Sequence, residues 1–302
     1  MGSKPASAPF STCSAAPVSA ATLTRQHLTV IKALTFVMFM MFAMTTDSVG
    51  IIIPEIVRNF HLSLTAAGSF QYATMGGIAL AGFLLGHLAD RIGRKPAIIA
   101  GLTLFAAASY LFIAGNSFWY FCALMALSGA AICIFKTAAL ALIGDIVSST
   151  AEHTSIMNTV EGFFGVGSII GPAILAPLLL RGLSWQWLYV IAGTMCVLLI
   201  VTAASVRYPA AKSAEAPRSN TMSAFTNRYV LAFSLGAFLY VAVESAVYVW
   251  MPTLVAGYHG RSAWLAAYSI SIVFYCAPRD DFSARGCSIA FNGPECSRCF
   301  PH

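Results

Sequence analysis

Asp47, Lys136, Glu161 and Glu244 stand inside otherwise apolar runs, in "TTDSVGIII", "ICIFKTAALAL", "NTVEGFFGVG" and "YVAVESAVYVW". An ionisable side chain is costly in such surroundings and marks a functional site whose partner has to be named. The signs restrict the chemistry to a few arrangements. Lys136 is neutralised by Asp47, by Glu161, by Glu244 or by an anionic solute, and the carboxylates are groups that take up and release protons. A salt bridge opened by a proton or a solute fits this set, and so does a permanent structural ion pair.

Neighbouring residues extend each position. Asn158 and Glu161 are three apart and project from one helix face, a pair able to hydrogen-bond a polyhydroxylated solute; alternatively, Glu161 occupies the first turn of its helix, where a carboxylate suits the macrodipole. Tyr240, Glu244 and Tyr248 recur every four residues and give one face two aromatic rings and an acceptor, a reasonable wall for a sugar. Trp250 and Pro252 fit an interfacial anchor, and Gln71 adds a hydrogen-bonding group. Asp47 either faces a cavity or lies near the outer headgroups, since Pro54 and Glu55 follow closely.

The elements that must position these residues follow from composition. Of 302 residues, 58% are hydrophobic and 9% charged, with a mean hydropathy of +0.78. Soluble proteins draw about 25% of their residues from Asp, Glu, Lys and Arg, so this chain lacks the polar residues to cover a water-facing surface. It is predicted to be an all-α integral membrane protein. Runs near 29–53, 66–88, 97–115, 119–144, 157–180, 186–206 and 229–255 meet or approach the roughly 20 residues a crossing needs, and an eighth begins near Ala263. Arg91, Arg94, Lys95, Arg207, Lys212, Arg218 and Arg228 lie at alternate connections, with Arg25 and Lys32 at the first entry. The opposite connections carry only Arg58, Arg181 and Arg261. This bias predicts a cytoplasmic amino terminus and a multi-pass plasma-membrane protein, in a bacterium the inner membrane. The predicted division is a disordered leader over 1–27, a six-span bundle over 28–206, a cytoplasmic linker over 207–228 and the first one or two spans of an incomplete second bundle over 229–276. Such two-bundle layouts bind substrate where the bundles meet. The net charge of +6 is spread over loops and ends, which argues against nucleic acid as a partner.

Between the second and third runs, Gly86, Leu88, Asp90, Arg91, Gly93, Arg94 and Lys95 stand in "GHLADRIGRKP". Gly86 and Gly93 let a helix end, turn and restart; Asp90 suits a cation or a helix amino terminus in a facing bundle; the three cations hold the loop on the cytoplasmic side. In order and spacing these residues resemble the loop signature of the major facilitator superfamily. The stretches "TTDSVGIIIPEIV", "NTVEGFFGVGSIIGP" and "FLYVAVESAVYVWMPTLV" are similar to the fucose permease group of sugar–proton symporters. The resemblance covers about residues 29–275 and implies a secondary transporter, not an enzyme, for a sugar or related small solute together with protons. It implies that Asp47 takes part in proton coupling and that Asn158 and Glu161 occupy a face bearing sugar-binding amides. Lys136 departs from it, because the group carries an acidic residue at that point.

Gly167-x-x-x-Gly171-Pro172 is similar to a fifth-span motif of drug–proton antiporters, so efflux of a drug or metabolite is the second reading; helix packing through small residues is the plain one. Beyond Cys276 the chain turns to "APRDDFSARGCSIAFNGPECSRCFPH", an abrupt shift read as a frame change that leaves 277–302 outside the family pattern. The spacing Cys296-x-x-Cys299 has no second half-site, so neither metal nor cofactor is expected. Read as a truncated chain, the protein is either an inactive fragment or depends on self-association or a complementary half-transporter.

Overall fold

The computed structural model describes residues 25–86, 91–147, 149–209 and 227–256. The regular elements among them are helices. α1 (Arg25–Thr46) and α2 (Val49–Phe60) run on from one another; α3 (Leu64–Leu85), α4 (Arg94–Leu111), α5 (Phe118–Ile146), α6 (Thr150–Leu180) and α7 (Gln186–Ser205) complete a bundle, and α8 (Arg228–Ala256) follows. Six spans are long and apolar enough to cross a membrane, α1 and α2 counting as one. α3 is the other predicted run; its 22 residues reach about 33 Å, although Gly, Ser, Thr and Gln lighten its apolar character. The predicted disordered leader gives up its last three residues, 25–27, to α1; the rest of it, the predicted eighth run, most of the linker and the tail with Cys296 and Cys299 lie outside the described residues.

Two departures from the predicted spans bear on the site. The first run is not one helix: it breaks at Asp47 and Ser48. The cause is local. Thr45 and Thr46 donate their hydroxyls to the Phe42 carbonyl at 2.9 and 3.0 Å, and Ser48 donates to Met44 O at 2.7 Å, so several side chains compete for carbonyls that the helix needs. Pro54 then lies inside α2, where it cannot bond back to Gly50. The second departure is at α6, which starts at Thr150, capped by the Ser149 hydroxyl accepting from Glu152 N at 3.2 Å. Glu161 therefore sits about three turns inside the helix. The first-turn, dipole-bound alternative for Glu161 is set aside.

Close backbone approach, made possible by small residues, holds the bundle together. A Cβ added at Gly167 would meet Met40 O, and one at Gly171 would meet Met44 O and Ser48 Oγ, so α6 lies directly on α1. The pair Gly77 and Gly129 does the same for α3 and α5, meeting Ala126 O and Thr74 O. Aromatic packing fills the middle and one end. Phe42 meets Phe105 and Phe135 at ring separations of 4.7 Å, and Phe112 stacks on Tyr189 at 4.2 Å. α8 rests on α2 by its carboxyl-terminal half: Tyr248 and Val249 are buried, and their carbonyls pack on Gly50. Its amino-terminal half stands clear, with Phe233 81% exposed.

Candidate functional site

The break between α1 and α2 places Asp47 inside the bundle, 3% exposed and enclosed by protein. One carboxylate oxygen accepts from Thr46 Oγ1 at 3.2 Å. The other accepts from Ser168 Oγ of α6, whose hydroxyl also lies 3.2 Å from Phe164 O. Ser168 is fully buried. The glycines on either side of it, Gly167 and Gly171, allow α6 to come this close.

Lys136 projects from α5. Its ammonium lies 4.5 Å from the Phe164 ring centroid and 5.6 Å from that of Phe39, a cation–π seat between two aromatic faces. Glu161, Asp47 and Glu244 all lie within electrostatic reach of it, Glu161 most strongly, and Lys136 and Glu244 both act on Asp47. Charged groups from the α1–α2 break, α5, α6 and α8 thus share one region. On α6 the residues Glu161, Phe164 and Ser168, spaced by three and four, form a single face that serves Lys136 at one end and Asp47 at the other.

Other predicted residues are placed differently from one another. Asn158 is half-buried and Glu161 exposed on α6; Glu244 is half-buried on α8, and Tyr240 on the same helix is 68% exposed. The Tyr240, Glu244 and Tyr248 strip therefore passes from the open half of α8 to its packed half. There Gln71 Nε2 donates to Tyr248 Oη at 2.9 Å. An open groove of about 490 Å³ runs between α3 and α8, lined among others by Gln71, Tyr72, Phe238, Ser245 and Trp250.

In the loop signature, Gly93 has φ +94°, a conformation in which glycine avoids the penalty of a side chain. Gly86 is different: with φ −56° it closes α3 in ordinary helical geometry, so the expected conformational freedom is used at Gly93 alone. Arg94 Nε donates to Asp145 Oδ2 at 2.9 Å, both side chains being 13% exposed. Lys95 Nζ donates to Ala204 O at 2.7 Å and Val206 O at 2.8 Å, a cation placed on the last carbonyls of α7, where the macrodipole favours it. Its ammonium is 5.7 Å from the Tyr208 ring centroid, and burial pushes the Tyr208 phenol up to about 12. Arg91 is exposed, and Asp90 lies outside the described residues. Two of the three cations therefore tie helices together in addition to marking a membrane side. Ser168 and Asp145 are the functional candidates that sequence reading passed over. Asp145 had a signal, as a carboxylate at the end of a long apolar run. Ser168 had only its place beside two glycines.

Residues 35–279 match the family model described as Major Facilitator Superfamily. Among curated relatives, a Protein TsgA homolog of Buchnera aphidicola subsp. Baizongia pistaciae is 22% identical over 222 residues, covering 72% of this chain and 56% of the relative. The Multidrug resistance protein MdtM of Salmonella typhimurium is 29% identical over 158 residues, 52% of this chain and 38% of the relative. The chain thus spans little more than half the length of the TsgA relatives it matches. Among solved structures, a D-xylose-proton symporter aligns with a TM-score of 0.60 at 13% identity, covering 82% of this chain and 66% of that one. An inward-facing, unoccupied bacterial homolog of the human lysosomal transporter Spinster aligns with a TM-score of 0.64 at 17% identity, over 89% and 64%. At such identities these likenesses concern the fold.

Proposed function

The chain belongs to the Major Facilitator Superfamily, a family of membrane transporters, and from that premise we propose that it supplies one wall of a proton-coupled transport site for a sugar or related small polar solute. One observation carries this reading: a buried carboxylate, Asp47, held in a helix break within electrostatic reach of Lys136 and Glu244, with Glu161 in turn within reach of Lys136, three residues from three other spans. A group that alternates between charged and neutral in such a place alters the balance of charge across the whole cluster. Proton uptake at Asp47 and solute binding among the same helices then affect one another by linkage. Asn158, Glu161, Tyr240 and Glu244 contribute hydrogen-bonding and stacking groups to the solute. The open half of α8 is where further helices would close the site, supplied by the same polypeptide, a second copy or a complementary chain.

Reconstituted into liposomes, the protein is expected to accumulate a labelled monosaccharide when the outside is made acidic, and Asp47→Asn is expected to abolish the part that depends on the gradient. Absence of gradient-driven uptake for any hexose would overturn the sugar symporter. Efflux is the second reading, favoured by Gly167-x-x-x-Gly171-Pro172 and by the MdtM relatives. It predicts proton-driven movement of a lipophilic cation such as ethidium in the opposite sense, with no sugar uptake.

A further inference from the structure

We propose that Ser168 is a positioning residue for Asp47: its hydroxyl holds the ionised carboxylate in the break between α1 and α2 and turns away when the carboxyl takes up a proton. This rests on the proton-coupling reading of Asp47. The Ser168 hydroxyl carries one proton and faces two acceptors, Asp47 Oδ2 and Phe164 O, and it donates fully to only one at a time. While Asp47 is ionised, the charge-assisted bond to the carboxylate is the stronger. Once Asp47 carries a proton it becomes a donor. Ser168 Oγ then accepts from it and turns its own proton to Phe164 O. The proton that arrives stays on Asp47 and none leaves the serine, so the exchange is a reorientation and involves no acid chemistry at Ser168.

The surroundings restrict the movement to that choice. Ser168 is fully buried, and the approach of α6 at Gly167 and Gly171 leaves no room for a side chain beside Met40 O and Met44 O. The other groups facing Asp47 are Thr46 of α1, which donates to the second oxygen, Lys136 of α5, and Glu244 and Tyr248 of α8. Glu161 acts through Lys136. Thr46 likewise has a second acceptor one turn back, Phe42 O at 3.0 Å, but it adjoins Asp47 in the chain, whereas Ser168 brings its hydroxyl across from α6. The Phe164 whose carbonyl provides the second acceptor for Ser168 also seats Lys136 on its ring. A serine that served packing alone would bond to Phe164 O whatever the state of Asp47.

Dicyclohexylcarbodiimide, which adds to protonated carboxyls in apolar sites, tests the idea on the purified chain without any transport. The readout, by mass spectrometry, is labelling at Asp47 divided by labelling at Glu161 and Glu244 in the same protein, which cancels differences in reagent dose; because Asp47 is buried and Glu161 exposed, variants are compared only where their melting temperatures match that of the parent chain. Ser168→Ala removes the donor that favours the ionised form and is expected to raise this ratio several-fold at neutral pH. Ser168→Thr keeps the hydroxyl and is expected to restore it. Ser168→Cys, a weaker donor of similar size, carries the same comparison if the alanine variant does not survive purification. An unchanged ratio in the variant lacking the hydroxyl, or a raised ratio in Ser168→Thr, overturns the proposal. Because labelling needs no solute, failure here with Asp47-dependent uptake intact would remove Ser168 alone, and the reverse pattern would remove the proton coupling alone.

Discussion

At the scale of single residues, Lys136 lies within electrostatic reach of three carboxylates, Glu161, Asp47 and Glu244. Its seat between Phe164 and Phe39 replaces part of the hydration that burial removes, because aromatic faces attract a desolvated ammonium. Lys136→Ala is expected to lower gradient-driven transport at least roughly tenfold, about 1.4 kcal/mol, the size of one hydrogen bond to a charged group. Lys136→Arg keeps the charge and is expected to lose less. Uptake by Lys136→Ala equal to that of the parent chain would remove the lysine from the site. Its importance was legible in the sequence, because a lysine within "ICIFKTAALAL" has no water to face. Its aromatic partners were not, since Phe39 and Phe164 are apolar residues in apolar runs and nothing local distinguishes them from other phenylalanines.

At the scale of elements, the contact between α1 and α6 decides where Asp47 and Ser168 meet. Two glycines one turn apart remove the side chains that would separate the helices, and the competing hydroxyls of Thr45, Thr46 and Ser48 break α1 opposite them. Gly171→Leu is therefore expected to destabilise the protein by about 1–3 kcal/mol through overpacking, seen as a lower melting temperature in detergent. Gly144→Ala on α5 is the control. A Cβ there meets nothing within 4 Å, so the change is expected to be neutral or to stabilise by up to about 1 kcal/mol. Equal melting temperatures for the two variants would mean that the α1–α6 seam tolerates separation. The helices themselves were readable from hydropathy. The break was not, because the apolar residues continue on both sides of "TTDS", and only the carbonyls its hydroxyls capture mark the place.

At the scale of the molecule, the Arg94–Asp145 pair and the Lys95 contacts join the first turn of α4 to the ends of α5 and α7. A double-mutant cycle on Arg94→Ala and Asp145→Ala is expected to show a coupling of about 0.5–3 kcal/mol, the range for residues in direct contact; additive effects would reduce the pair to a surface accident. The charge bias between connections also gives a direct test of orientation. In a variant freed of reactive cysteines, Ser63→Cys should react with an impermeant thiol reagent applied to intact cells. Ser149→Cys should react only after the membrane is opened. The reverse pattern would invert the predicted topology.

Hydropathy, charge bias and residue spacing are properties of adjacent residues, so the sequence alone determined that the chain crosses a membrane, where its spans lie, which side chains are chemically unusual and which loop carries the family signature. The tertiary structure decided the partners. Asp47 and Ser168 are 121 residues apart and Arg94 and Asp145 are 51 apart; they meet only because small residues on particular helix faces allow particular backbones to touch. It also decided that Gly93, not Gly86, takes a positive φ, and that Glu161 lies deep in its helix instead of at its start. Both depend on where a helix is capped, and the Ser149 hydroxyl settles that for α6 by bonding a backbone N–H that the linear pattern of apolar residues does not reveal.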